Sequence, residues 1–201
     1  MKGSKRLRYN LLFILLFFLM SCSQSLEQDD YIAWVEGYEN GLHVSRSLGD
    51  FIFDLQYKPA EYVRLQEKQW RGGHDPELSV EENMQYFTLS IGLKDKQLDF
   101  MEYNIETVEQ RSQMLYYYSF RFQNAIYLEE NGKKLPCVLY HFERSYDLKP
   151  TRTFVLGFEK PNKGDEFTKL VIDSPWLNTG PVKFHINKNN IPELKHPTNA
   201  S

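Results

Sequence analysis

Cysteine is nearly absent from this sequence. Cys22 and Cys137 are the only two among 201 residues, so at most one disulfide is available and the fold must rest on packing. Long apolar runs are missing too. The longest, Leu11–Met20, has ten residues, about half of what a membrane-spanning helix needs. Positive charge is in deficit, with 24 Lys and Arg against 27 Asp and Glu for a net charge of −3. Nucleic acid and anionic lipid head groups repel a chain of that sign, so neither is an expected partner. The sequence contains no Gly-rich phosphate loop, no Gly-x-Ser-x-Gly elbow and no EF-hand loop. Its five histidines, His43, His74, His141, His185 and His196, form no pair four apart on a helix and no cluster with cysteine at metal-ligand spacing. No metal and no cofactor is expected from this pattern.

What the chain does have begins at its first residues. Lys2, Lys5, Arg6 and Arg8 form a basic start with no acidic residue among them, and the ten-residue apolar run follows. Leu19-Met20-Ser21-Cys22 comes directly after, with an aliphatic residue three before the cysteine and a small one just before it. This order of features resembles the signal peptide and lipobox of bacterial lipoproteins, with Met20 standing where that family prefers a smaller residue. The resemblance implies that Cys22 becomes the acylated N-terminus, and two or more acyl chains anchor stably where one does not. The polar, acidic stretch Ser23–Asp30 then resembles the export signal of surface lipoproteins in the Bacteroidota. Phe53–Tyr62 is similar to segments of uncharacterised lipoproteins from the same group. Together these imply an outer-membrane protein, lipid-anchored on the periplasmic or cell-surface side. Removing the first 21 residues takes four basic side chains and shifts the net charge from −3 to −7. Only Cys137 then remains as a thiol, expected to be a small buried core residue.

Aromatic residues are plentiful, with 14 Phe, 13 Tyr and three Trp, enough apolar surface for a real core. Most of the chain alternates with period two. Leu42, Val44, Arg46 and Leu48 share one face, and Phe51, Phe53, Leu55 and Tyr57 follow after the Gly49-Asp50 turn. Ile32–Tyr38 is a further candidate strand. Pro59 suits the start of a helix running to Trp70 and stopping at Gly72-Gly73. Phe87, Leu89, Ile91 and Leu93 alternate next. Thr107 with Gln110 fits a capping box opening a second helix over 106–115. From Tyr116 on, strands are expected throughout: Tyr116–Leu128, then Leu135–Arg144 across the hairpin signal Asn131-Gly132, then 154–158, 170–172 and 182–186. The expected fold class is mostly β, an antiparallel sandwich-like domain with one or two short helices. The expected organisation is a signal peptide at 1–21, an acidic flexible tether at 22–30 and one β-rich domain at 31–187. That domain has a hairpin-plus-helix part (31–80) and a sandwich part (84–187). A flexible tail, 188–201, ends the chain.

Three sets of residues are candidates for chemistry or binding. Trp70, His74 and Asp75 share a Gly-rich loop, where a His beside a carboxylate can serve as a base and an aromatic as a platform; a helix cap with a solvent-facing His is the plainer reading. His141 and His185 lie on the polar faces of predicted strands, and convergence with Glu143 would make them a site. Tyr116, Tyr117, Tyr118, Phe120 and Phe122, together with Trp176, supply both core and surface, and exposed ones can stack on sugars or anchor a protein. No catalytic motif is assembled. The expected function is therefore a non-catalytic binding or accessory module of the cell envelope. Its partners would be the bilayer, through Cys22, and an envelope protein or glycan. The rival is an envelope hydrolase whose site is gathered from distant strands and loops.

Overall fold

The computed structural model describes residues 25–72, 81, 83–143, 150–161 and 165–195. Cys22, His74 and the loop around it, and the last six residues lie outside these. Two antiparallel sheets face each other across one aromatic core, so the sandwich expectation holds. The five-stranded sheet has the spatial order β2(His43–Leu48), β3(Phe51–Lys58), β4(Met84–Leu93), β8(Arg152–Glu159), β7(Leu139–Glu143). The four-stranded sheet runs β10(Val182–Asn187), β9(Phe167–Ile172), β5(Ile126–Glu130), β6(Lys133–Pro136). Both follow the period-two pattern. In β3, Phe51, Phe53, Leu55 and Tyr57 are buried while the residues between them are not. The inner faces meet through ring pairs such as Phe53 with Phe184, 6.4 Å apart and edge-on. Alternating large side chains on twisted strands leave little other choice than to interlock across the gap.

Arg46 shares the core-facing register of β2, yet its guanidinium reaches across to the Lys183 carbonyl of β10 at 2.6 Å, tying the two sheet edges together. At the other edge the chain turns a corner. The expected single strand Leu135–Arg144 is broken into β6 and β7, with Cys137 buried at the bend and Val138 exposed. The Val138 N–H still bonds the Gly157 carbonyl, so the chain changes sheets without losing that pairing. Asn131 and Gly132 both take positive φ, 51° and 71°, which is what a two-residue type I′ hairpin turn requires.

Among the described residues three α-helices form, where one or two were expected. Ile32–Tyr38 is not a strand. It belongs largely to α1(Gln28–Glu36), whose first turn carries Asp29 and Asp30 where the helix dipole favours them. Tyr31 and Val35, one turn apart, are its buried face. α2(Ala60–Trp70) starts after Pro59 as expected, and Gly72 ends it at φ 68°. α3(Val108–Tyr116) opens with the Thr107–Gln110 capping box, both halves formed. Tyr116–Leu128 differs most from its expectation. The helix continues as a π turn over Tyr117–Arg121 and a 3₁₀ turn over Phe122–Ala125 before β5 begins. Tyr118 and Phe122, four apart, are buried against Phe154. Their aromatic content suits a strand, but their burial follows helical spacing.

The expected tether and tail are also structured in part. β1(Ser25–Leu26) pairs in parallel with β11(Glu193–Leu194), and Lys195 bonds Glu27 at 2.6 Å. These elements, α1, α2 and the 3₁₀ turn Lys188–Asn190 gather at one end of the sandwich. The opposite end holds the 49–50 turn, residues 100–105, α3 with its π turn, and the loop 173–181. No helix among the described residues is long and apolar enough to cross a membrane.

Candidate functional site

Of the residues singled out in the sequence, those that are described do not come together as a set. Trp70 sits at the last position of α2 and is 89% exposed. His141 lies on the outer face of β7 in the five-stranded sheet, as does Glu143. His185 lies on the outer face of β10 in the other sheet. The polar face was read correctly for each, but β7 and β10 belong to different sheets, so the core separates His141 from His185 and the proposed convergence fails. Among the described residues, no group of three or more His, Cys, Asp or Glu side chains is placed to hold a metal ion.

A His–carboxylate pair does form, between residues not singled out. His43 Nε2 meets Asp54 Oδ1 at 2.6 Å, Tyr38 donates to the other Asp54 oxygen at 2.7 Å, and the Tyr38 ring stacks on His43 at 3.9 Å. The signal was present: both residues fall on the outer face of the β2–β3 hairpin, one register step apart diagonally. The arrangement is nonetheless closed. His43 Nδ1 faces the Glu36 carbonyl at 2.8 Å, so both ring nitrogens are committed to acceptors and neither is presented to a substrate. Asp54 likewise has both oxygens engaged, which holds the Tyr38 hydroxyl up at about 12 through that hydrogen bond and, to a smaller degree, burial. The group ties α1 to the hairpin. Asp54 also edges a cavity of about 300 Å³ with Ile52, Ser90 and Thr151, where no aromatic ring is presented.

Trp176 is the singled-out residue that does sit in a site. The loop carrying it is fixed from three directions. Asp173 N–H bonds the Ala125 carbonyl at 2.8 Å, the Ser174 and Tyr117 hydroxyls share a bond of 2.8 Å, and Leu177 is buried. Trp176 remains 36% exposed, its ring 5.5 Å from Tyr117 at 31°. Tyr116 and Phe120, four apart on the helix and its π continuation, form a second exposed pair 5.4 Å apart. The π turn matters because it carries this aromatic run on as helix, so that Tyr118 and Phe122 go inward while Tyr116 and Phe120 stay out.

Two cavities adjoin at Trp176. One, about 280 Å³, is walled by Asp50, Tyr103, Asn104, Trp176 and Asn178 over a floor of Phe51, Met114 and Leu177. The other, about 440 Å³, is lined by Ser112, Gln113, Tyr116, Tyr117, Arg121 and Trp176. Tyr103 donates to Asp50 Oδ2 at 2.6 Å, an interaction that raises its hydroxyl above the usual tyrosine value. Burial raises Tyr117 likewise, against the pull of its bond to Ser174. Both phenols are thus neutral donors at any physiological pH. Nothing here is arranged as a nucleophile with a base; a few polar groups converge around exposed rings, as in a small-ligand site.

Comparison with known proteins adds little. No protein-family model matches the chain, and no curated protein matches it. A crystal structure of a DUF4426 family protein from Pseudomonas aeruginosa PAO1 overlays on 73% of this chain and 93% of that one, at 11% identity and a TM-score of 0.36. At that score the likeness carries no argument.

Proposed function

We propose that this protein is a non-catalytic binding module of the bacterial cell envelope, tethered by acylated Cys22 and engaging its partner through the Trp176 end. The observation that carries this reading is the aromatic cluster of exposed Tyr116, Phe120 and Trp176 with half-buried Tyr117, beside two adjoining cavities. Exposed rings held rigidly by packing are costly to leave in water and effective at binding, because little side-chain entropy remains to be lost. The anchor fits this direction. Only Ser23 and Gln24 separate Cys22 from β1, and three residue steps reach about 10 Å at most. β1 lies at the end opposite Trp176, so an acylated Cys22 holds that end close to the lipid and turns the aromatic end away.

The rival is an envelope hydrolase using His74, which lies outside the described residues, or an acidic pair from distant strands; the His–carboxylate pair that is described, His43 with Asp54, is occupied by structural bonds. Photocrosslinking in intact cells tests the proposal. A photoreactive residue at Thr179, on the cavity rim, is expected to give a discrete adduct. The same residue at Phe167, exposed at the other end of β9, is expected to give none. Equal labelling from both positions, or turnover of a glycan, ester or peptide by the purified chain, would contradict the reading.

A further inference from the structure

We propose that the cavity bounded by the 49–50 turn, residues 103–105 and the 176–179 loop takes a neutral saccharide unit, one of its faces packed on Trp176. The inference rests on the binding-module reading and names the ligand class for its site. A pyranose has two kinds of surface: C–H faces that pack on an aromatic ring, and equatorial hydroxyls that both donate and accept hydrogen bonds. The cavity offers both complements. Trp176 and Tyr103 supply ring surface, while Asp50, Asn104 and Asn178 supply planar groups at the rim. A carboxylate accepts only, but an amide donates and accepts, so the set matches hydroxyls rather than a single charge.

Charge argues in the same direction. No Lys, Arg or His lines this cavity, and Asp50 repels an anion. A cationic group is served less well by Asp50 than its charge suggests, because one of its oxygens is already taken by Tyr103. Arg121 lines only the adjoining cavity, beyond the Tyr117–Trp176 pair. That cavity shares Trp176 and extends the surface in the manner of a second subsite, so a chain of two or more units fits better than one.

The two asparagines are informative in themselves. Asn104 and Asn178 take φ of 56° and 48°, a region where glycine is free of strain and asparagine is only tolerated. The third such residue among the described ones, Asn131, belongs instead to the hairpin turn with Gly132. At positions 104 and 178 both asparagines line the same cavity, where the Asn104 side chain also hydrogen-bonds Tyr103. Glycine there removes the amide while relieving the backbone, so Asn104→Gly and Asn178→Gly separate ligand binding from folding.

The test is titration of the purified full chain with neutral cello-, malto-, manno- and N-acetylchito-oligosaccharides of two to six units, followed by tryptophan fluorescence and calorimetry. Oligogalacturonate and tetralysine are the charged controls. At least one neutral series is expected to bind saturably. Asn104→Gly/Asn178→Gly should weaken it at least tenfold with an unchanged or higher melting temperature, and Trp176→Ala should abolish it. Failure of every neutral sugar at 10 mM overturns the inference, as does Trp176-dependent binding of tetralysine or oligogalacturonate in preference. If sugars fail while the Thr179 photoadduct persists, the saccharide assignment falls and the binding-module reading stands. If both fail, the site itself is wrong.

Discussion

At the scale of single residues, placement follows how each side chain satisfies its polar atoms once buried. Cys137 illustrates this: it is buried at the corner between β6 and β7, its thiol donates to the Leu139 carbonyl at 3.0 Å, and burial pushes its pKa up to about 12. The thiolate is the reactive form, so Cys137 in the native chain should resist iodoacetamide at pH 8. Alkylation should become rapid only in denaturant; fast native labelling, read by mass spectrometry, would show an accessible thiol. Asp54 makes a complementary case, since its carboxylate holds both Tyr38 and His43. Asp54→Ala should bring the Tyr38 hydroxyl from about 12 back toward 10.0, visible in an ultraviolet titration. It should also cost roughly 1 kcal/mol of stability for the lost hydrogen bonds.

At the scale of elements, local signals decide what forms wherever they are unambiguous. The capping box at Thr107 and Gln110 forms as expected and starts α3 at Val108, two residues after the expected 106, and Thr107→Ala should lower stability by about 1 kcal/mol in a chemical melt. The Asn131-Gly132 turn and the alternating runs of β3, β4, β8 and β10 were equally legible, because a period of two with a buried face has one reading. The misread segments share a different cause. Ile32–Tyr38 and Tyr116–Ala125 hold aromatic or β-branched residues whose intrinsic preference is extended, but Val35 is buried four residues after Tyr31, which just precedes the first segment, and Phe122 four after Tyr118 in the second. Helical packing against the core overrides a weak local preference. The candidate site was half legible for a related reason. Trp176 and the 116–122 aromatics were visible as residue types, whereas Asp50, Asn104 and Asn178 meet them only through the topology. The His141–His185 pairing failed because strand alternation fixes a face but not a sheet.

At the scale of the whole molecule, the two ends of the sandwich are chemically different. The β1 end is closed by a buried network: Glu130, fully enclosed, accepts from Gln85 at 3.1 Å, the Asp165 N–H at 2.9 Å and Lys188 at 2.6 Å. Burial pushes the Glu130 pKa upward, but these three partners prevail and hold it below the ordinary 4.5. A carboxylate lowered in the folded state stabilises above its unfolded value, and that contribution is lost as pH falls through the folded one. Glu130→Gln should therefore cost about 2 kcal/mol at pH 7, in the range of charged hydrogen bonds. The deficit should shrink as pH falls below 4.5; a deficit constant with pH in denaturant melts would contradict it.

The Trp176 end is open and aromatic, and the account stands on that end being the working surface. Hydroxyl-radical footprinting in intact cells against the purified protein measures this most directly. Tyr116, Tyr117, Phe120 and Trp176 are predicted to be protected in cells, while Trp70 and Phe167 oxidise equally in both. Equal oxidation at all six positions, or protection confined to Trp70 and Phe167, would contradict it.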